Sequence, residues 1–280
     1  MKNNILKTAF SFALIGICFL AAGIVLKNQN GQDKYDVVVF GDSIMAGDHS
    51  FWTVPSVMND TSDYSVLNGA FGGMNMSLVR LKDYNGDISD VFTMIRLSEA
   101  LKTHDFSLQV MSSKKDVTGA TAYAYDTAVA LSNTDWDAVR YIIVEHGIND
   151  YLNQKPVDNA LEPYDIDTFG GALRCVIENI TEGVPNARLI LCTPIYAYPI
   201  GLSEATTTDY GQGVLTDYIA KEKEIASEYG IYVIDNFNEI NINKDNYLEY
   251  LPDGLHGGFE GNEIIAENIL KHLKELDGNS

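Results

Sequence analysis

Cationic side chains are scarce in this sequence. Its 280 residues include 19 lysines and arginines against 39 aspartates and glutamates, a formal net charge of −20. Such a surface repels phosphate backbones, which argues against nucleic acid as a partner. The acidity is spread along the chain rather than gathered in a tail, as on a solvated acidic surface. Cysteine is also rare. Only Cys175 and Cys192 lie outside the apolar N-terminal stretch, one in a helical pattern and one in a strand pattern. Both read as buried small hydrophobes. A disulfide would need a geometry that a sequence does not carry. No CxxC or Cys/His spacing suggests a structural zinc. Asn241 to Glu249 alternates oxygen-bearing residues but lacks the glycine and late glutamate of a calcium loop. No internal repeat and no low-complexity tract is present, and no motif calls for a metal or an organic cofactor.

Hydrophobic types make up 46% of the chain, enough for one large domain with a full core or for two small ones. Residues 1–26 stand apart. Lys2 and Lys7 precede an uncharged run from Thr8 to Leu26. Nineteen helical residues reach about 28 Å, close to the hydrocarbon thickness of a bilayer. The segment reads as a signal peptide or an N-terminal membrane anchor, and its length leans toward the anchor. Lysines ahead of it favour export of the body. The polar stretch 27–34 reads as a linker to a folded domain at 35–280.

Within that domain, short apolar runs alternate with helical patterns. Runs at 35–40, 64–70, 139–147, 187–195 and 230–237 read as strands, several buried on both faces. Segments 165–183, 213–230 and 259–276 space their apolar residues three and four apart, as helices do. This alternation predicts a mainly parallel five-stranded sheet with helices on both faces. Residues 77–134 interrupt the rhythm as a helical elaboration between the second and third strands, placed where it could cap a site. Ligands of such sheets lie at the carboxyl ends of the strands, so chemistry is sought in those turns.

The first strand ends in Gly41-Asp42-Ser43. Glycine permits a sharp turn, and Ser43 would open a helix where free N–H groups favour a developing anion. Asp and Ser are also common helix caps, and the tripeptide alone is compatible with both roles. After the second strand come Asn68-Gly69-Ala70-Phe71-Gly72-Gly73, which serve equally as a flexible turn or as a close backbone approach to a ligand. The third strand delivers Gly147-Ile148-Asn149-Asp150, whose Asn149 amide suits either an Asx turn or an oxyanion donor. His146, ahead of it, reads as a core histidine. The loop before the last helix carries Asp253 and His256, three apart. A carboxylate there can hold one imidazole nitrogen and leave the other to take a serine proton. His49 is a rival base by proximity in sequence. His104 and His272 compete poorly.

Taken jointly, the four motifs resemble the SGNH (GDSL-type) hydrolases over about residues 35–276. Gly41-Asp42-Ser43 matches the first block, Asn68 with Gly73 the second, Gly147-x-Asn149-Asp150 the third and Asp253-x-x-His256 the last. The resemblance implies a three-layer α/β/α sandwich of flavodoxin-like SGNH type. It implies Ser43 as nucleophile, His256 as base and Asp253 as its orienting acid. Ser43, Gly73 and Asn149 would form the oxyanion hole, with no metal or cofactor. The implied substrate is an acylated carbohydrate, an O-acetyl ester first, or an acyl lipid. A glycan O-acyltransferase and a non-catalytic glycan-binding module are the alternatives. Membrane contact would come through residues 1–26 if they are retained. The sequence departs from the family pattern in Gly257-Gly258 after the histidine and in the long 77–134 elaboration.

Overall fold

The structure is a computed structural model and describes residues 26–47, 49, 52–79, 91–113 and 123–278. Nearly all of the N-terminal apolar segment lies outside the described residues. Among those described, no helix is long and apolar enough to cross a membrane.

Five strands make the central sheet: β1 (Val37–Gly41), β2 (Val66–Asn68), β3 (Tyr141–Glu145), β4 (Arg188–Cys192) and β5 (Tyr232–Ile234). They lie side by side in the order β2-β1-β3-β4-β5, and every pairing is parallel. The expected sheet is therefore present, and all-parallel rather than mainly so. Every residue of β1 and β3 is buried, because helices cover both faces of the sheet centre. The edge strands β2 and β5 are only partly covered. That is why the central strands read as unbroken apolar runs and the edges less so.

The chain passes from β1 to β2 in one direction across the sheet and from β2 through β3 and β4 to β5 in the other. Right-handed crossovers in opposite directions put their helices on opposite faces. On one face lies α2 (Val54–Thr61), which follows the single-turn α1 (Ser43–Ala46). The last helix, α11 (Phe259–Gly278), packs against α2. On the other face, α3 (Met94–Thr103) packs on α7 (Phe169–Gly183), and α7 on α8 (Leu215–Tyr229). Between them in sequence come α4 (Ser107–Ser113), α5 (Ala124–Ser132) and the short α6 (Ile148–Leu152). Single-turn helices α9 (Asn236–Glu239) and α10 (Tyr247–Tyr250) complete the described set. Helix α7 starts later than the 165–183 pattern because Thr168 caps it, its hydroxyl accepting the Gly171 N–H at 3.1 Å.

Two regions differ from expectation. Residues 26–34 are not a free linker. Leu26–Lys27 pairs antiparallel with Asp33–Lys34, and the Asp33 backbone bonds to those of Asn133 and Asp135. The described parts of 77–134 supply α3 to α5. Of these, α3 is a layer helix on α7 rather than a cap. Cys175 and Cys192 are both free thiols, Cys192 buried and Cys175 half-buried.

Candidate active site

Strands β1 and β3 are neighbours from which the chain departs in opposite directions. A crevice opens beyond their carboxyl ends at such a switch point. Gly41-Asp42-Ser43 leaves β1 there, and Gly147-Ile148-Asn149-Asp150 leaves β3 beside it.

Asp42 and Ser43 take different places in this turn. Asp42 is the cap: its Oδ1 accepts the Ile44 N–H at 2.9 Å. Ser43 is the first helical residue, and its Oγ lies 2.8 Å from His256 Nε2. The other face of that ring, Nδ1, lies 2.6 Å from Asp253 Oδ2. Asp253 Oδ1 also accepts the N–H groups of Leu255 and His256, at 2.9 and 2.7 Å. Partial burial opposes charge on Asp253. The His256 hydrogen bond and the two backbone donors outweigh it and hold the carboxyl below the usual carboxylate range. The loop is anchored on both sides. Ile200 N–H donates to the Asp253 carbonyl and Tyr198 N–H to the Gly254 carbonyl, each at 2.8 Å.

Two further segments flank this turn. Asn149 donates from Nδ2 to Asp42 Oδ2 at 3.0 Å, so the buried carboxylate that caps α1 also aims this amide. Burial pushes Asp42 up to about 7, opposed by the Ile44 N–H and the Asn149 amide. Asp150, also buried, accepts from the N–H groups of Met76 and Ser77 at 2.8 and 3.0 Å. It staples the segment after β2 to the end of β3. Gly73 lies in that segment at φ = 75°, a left-handed conformation that favours glycine. The next residue toward β2, Gly72, donates its N–H to the Tyr123 hydroxyl at 2.9 Å. A Cβ on Gly72 would stand 3.6 Å from that of Ser43, so this backbone passes directly beside the serine.

The rival histidines are engaged elsewhere. His49 Nε2 meets the Ala70 carbonyl at 3.1 Å, and its ring stacks on Tyr123 at 3.7 Å. His104 meets the Gly183 carbonyl, and His272 lies between Tyr232 and Glu239. His146 is buried, and burial pushes it down to about 3, leaving it neutral. The sequence reading missed the tie from Asp42 to Asn149, the Asp150 staple and the Tyr123–Gly72 bond. Only the first had a local signal, the acid directly before the serine. Among the described residues no group of three or more His, Cys, Asp or Glu could hold a metal ion.

The arrangement pairs a serine with an imidazole–carboxylate chain, as nucleophilic acyl chemistry requires, and ties the Asn149 amide to the residue before that serine. Sequence comparison agrees with that chemistry. The family model described as GDSL-like lipase/acylhydrolase matches residues 39–264. The chain belongs to this family. As such it is a carboxylic ester hydrolase of the esterase–lipase type. No curated protein matches its sequence. Solved structures of the same fold include a protein from Lactobacillus plantarum, 17% identical, with a TM-score of 0.61 over 86% of this chain and 97% of that one. A protein of Chitinophaga pinensis DSM 2588, described as a possible lipase, is 17% identical with a TM-score of 0.53, over 87% and 99%. The salicylyl-acyltransferase SsfX3 of a tetracycline biosynthetic pathway is 14% identical with a TM-score of 0.51, over 87% and 55%. At these identities the likeness is one of fold.

Proposed function

We propose that this hydrolase works through a triad of Ser43, His256 and Asp253 and an acyl-enzyme. The observation that carries the reading is the continuous hydrogen-bonded chain from Asp253 through both ring nitrogens of His256 to Ser43 Oγ. In this reading His256 Nε2 takes the serine proton as Oγ attacks the ester carbonyl. Asp253 holds the Nδ1–H tautomer and stabilises the imidazolium. The oxyanion is received by the N–H groups of Ser43 and Gly73 and by the Asn149 amide. His256 then gives its proton to the departing alcohol. Water enters, loses a proton to His256, and releases the acid and free Ser43.

The His256 and Asp253 side chains are 44% and 53% exposed, so water reaches the imidazole freely. That favours hydrolysis over transfer to a sugar hydroxyl. We further propose an O-acetyl or other short-acyl ester of a cell-surface or extracellular carbohydrate as substrate. This draws on the export expected from Lys2, Lys7 and the apolar run behind them, with the body anchored or released outside the cell. The test is hydrolysis of acetyl and long-chain esters by the purified chain beside Ser43→Ala. The variant should lose roughly 10⁴- to 10⁶-fold in kcat. Full activity in Ser43→Ala would reject the triad. A preference for long chains would reject the carbohydrate reading in favour of acyl lipids.

A further inference from the structure

Ser43 opens onto a cavity of ≈ 480 Å³ whose wall includes Gly47, Trp52, His256, Gly258 and Phe259. Gly73 and Asn149 lie outside that wall. The asymmetry has a chemical meaning under the triad reading, on which this inference rests. The imidazole returns its proton to the leaving oxygen, so the alcohol departs on the imidazole side, while the carbonyl oxygen faces the oxyanion donors. A cavity that His256 lines and Gly73 and Asn149 do not is therefore assigned to the alcohol side of the ester.

Trp52 and Phe259 are its distinctive residues. Each is 49% exposed, although both belong to residue types that water disfavours. Their ring centroids are 4.2 Å apart at 62°, an edge-to-face pair that forms an open corner. The corner is held in place. Phe259 is the first residue of α11, and the Asn262 amide, one turn on, donates to the Trp52 carbonyl. A Cβ on Gly257 would stand 2.0 Å from Asn262 Oδ1, so glycine there leaves room for this anchor. Gly257, one half of the Gly257-Gly258 departure, thus belongs to the construction of the corner. An open corner of two rings covers little of an extended alkyl chain, whose burial scales with the area covered. Two aromatic faces meeting at an angle cover the flat side and one edge of a ring.

We infer that Trp52 and Phe259 form the alcohol subsite and select esters whose alcohol carries a six-membered ring, a pyranose in the reading above. The test compares the full chain with Trp52→Ala, Phe259→Ala and the conservative Trp52→Phe. Cyclohexyl acetate and ethyl cyclohexanecarboxylate put the same ring on opposite sides of the ester, and ethyl acetate has none. The expected result is a fall of roughly tenfold or more in the kcat/KM ratio of cyclohexyl acetate to ethyl acetate, with partial rescue in Trp52→Phe. The ratio of ethyl cyclohexanecarboxylate to ethyl acetate stays level. Loss on the acyl-ring ester instead, a parallel loss on all three esters, or no change in either ratio would each overturn the subsite. Methyl 6-O-acetylglucopyranoside and phenyl acetate separate the two sources of a ring, and loss on phenyl acetate alone would overturn the pyranose. A readout free of turnover keeps failure of the triad distinct. Trp52 and the buried Trp136 are the two tryptophans of the chain. Methyl glucopyranoside should change the fluorescence saturably in Ser43→Ala and not in Ser43→Ala/Trp52→Ala. Absence of that change in both would overturn the subsite, whatever the esters do.

Discussion

Replacing Asp42 by asparagine should disable the site without touching any group that meets substrate. Asp42 accepts twice, from the Ile44 N–H at 2.9 Å through Oδ1 and from Asn149 Nδ2 at 3.0 Å through Oδ2. An asparagine of the same shape has one acceptor. If its oxygen keeps the cap on α1, its NH₂ faces the NH₂ of Asn149, and two donors cannot bond. Asn149 must then turn its carbonyl toward residue 42, which in the proposed mechanism points oxygen rather than N–H at the forming oxyanion. Loss of one such donor costs roughly 10²–10³ in kcat, about 2.7–4 kcal/mol. The assay is steady-state hydrolysis of a short acyl ester by wild type, Asp42→Asn, Asn149→Ala and the double variant, with circular dichroism to confirm folding. If Asp42 acts through Asn149, the double variant should be little worse than Asn149→Ala alone. Activity of Asp42→Asn within about threefold of wild type would refute the argument. So would losses that multiply in the double variant.

Tyr123→Phe keeps the stack on His49 but removes the acceptor of the Gly72 N–H. One hydrogen bond is worth about 1 kcal/mol, so kcat should fall roughly fivefold with KM little changed as Gly73 loses its alignment; unaltered kcat would refute this positioning role. Glu222, buried on α8, is pushed by burial to about 8 from an ordinary 4.5. The folded state then keeps a proton that the unfolded chain has lost, and stability falls as pH rises through that window, by up to about 1.4 kcal/mol per pH unit. Burial raises Glu145 in the same direction. Glu222→Gln should make the decline of Tm between about pH 5 and pH 8 shallower, and an unchanged slope in thermal melts would exclude Glu222 as its source.

Much of this protein was determined by the sequence alone, wherever the cause is local. The runs at β1 and β3 are unbroken because both faces of a parallel sheet are covered, and burial of that kind leaves a mark on every residue. Ser43, Asn149, Asp253 and His256 could be singled out as candidates because each stands where a strand ends or shortly before a helix, and turns demand particular residue types. Tertiary structure decided what depends on meetings between distant segments. That Asp42 caps one strand's turn and aims the amide of another follows from β1 and β3 lying side by side. That His256 rather than His49 reaches Ser43 depends on the anchoring of the 253–258 loop against Tyr198 and Ile200. Trp52 and Phe259 each look like an ordinary apolar residue, and they form a corner only because α11 packs on α2. Periodicity records which face of an element is covered, but not which side chain from elsewhere covers it, and the chemistry of the site lies in those partners.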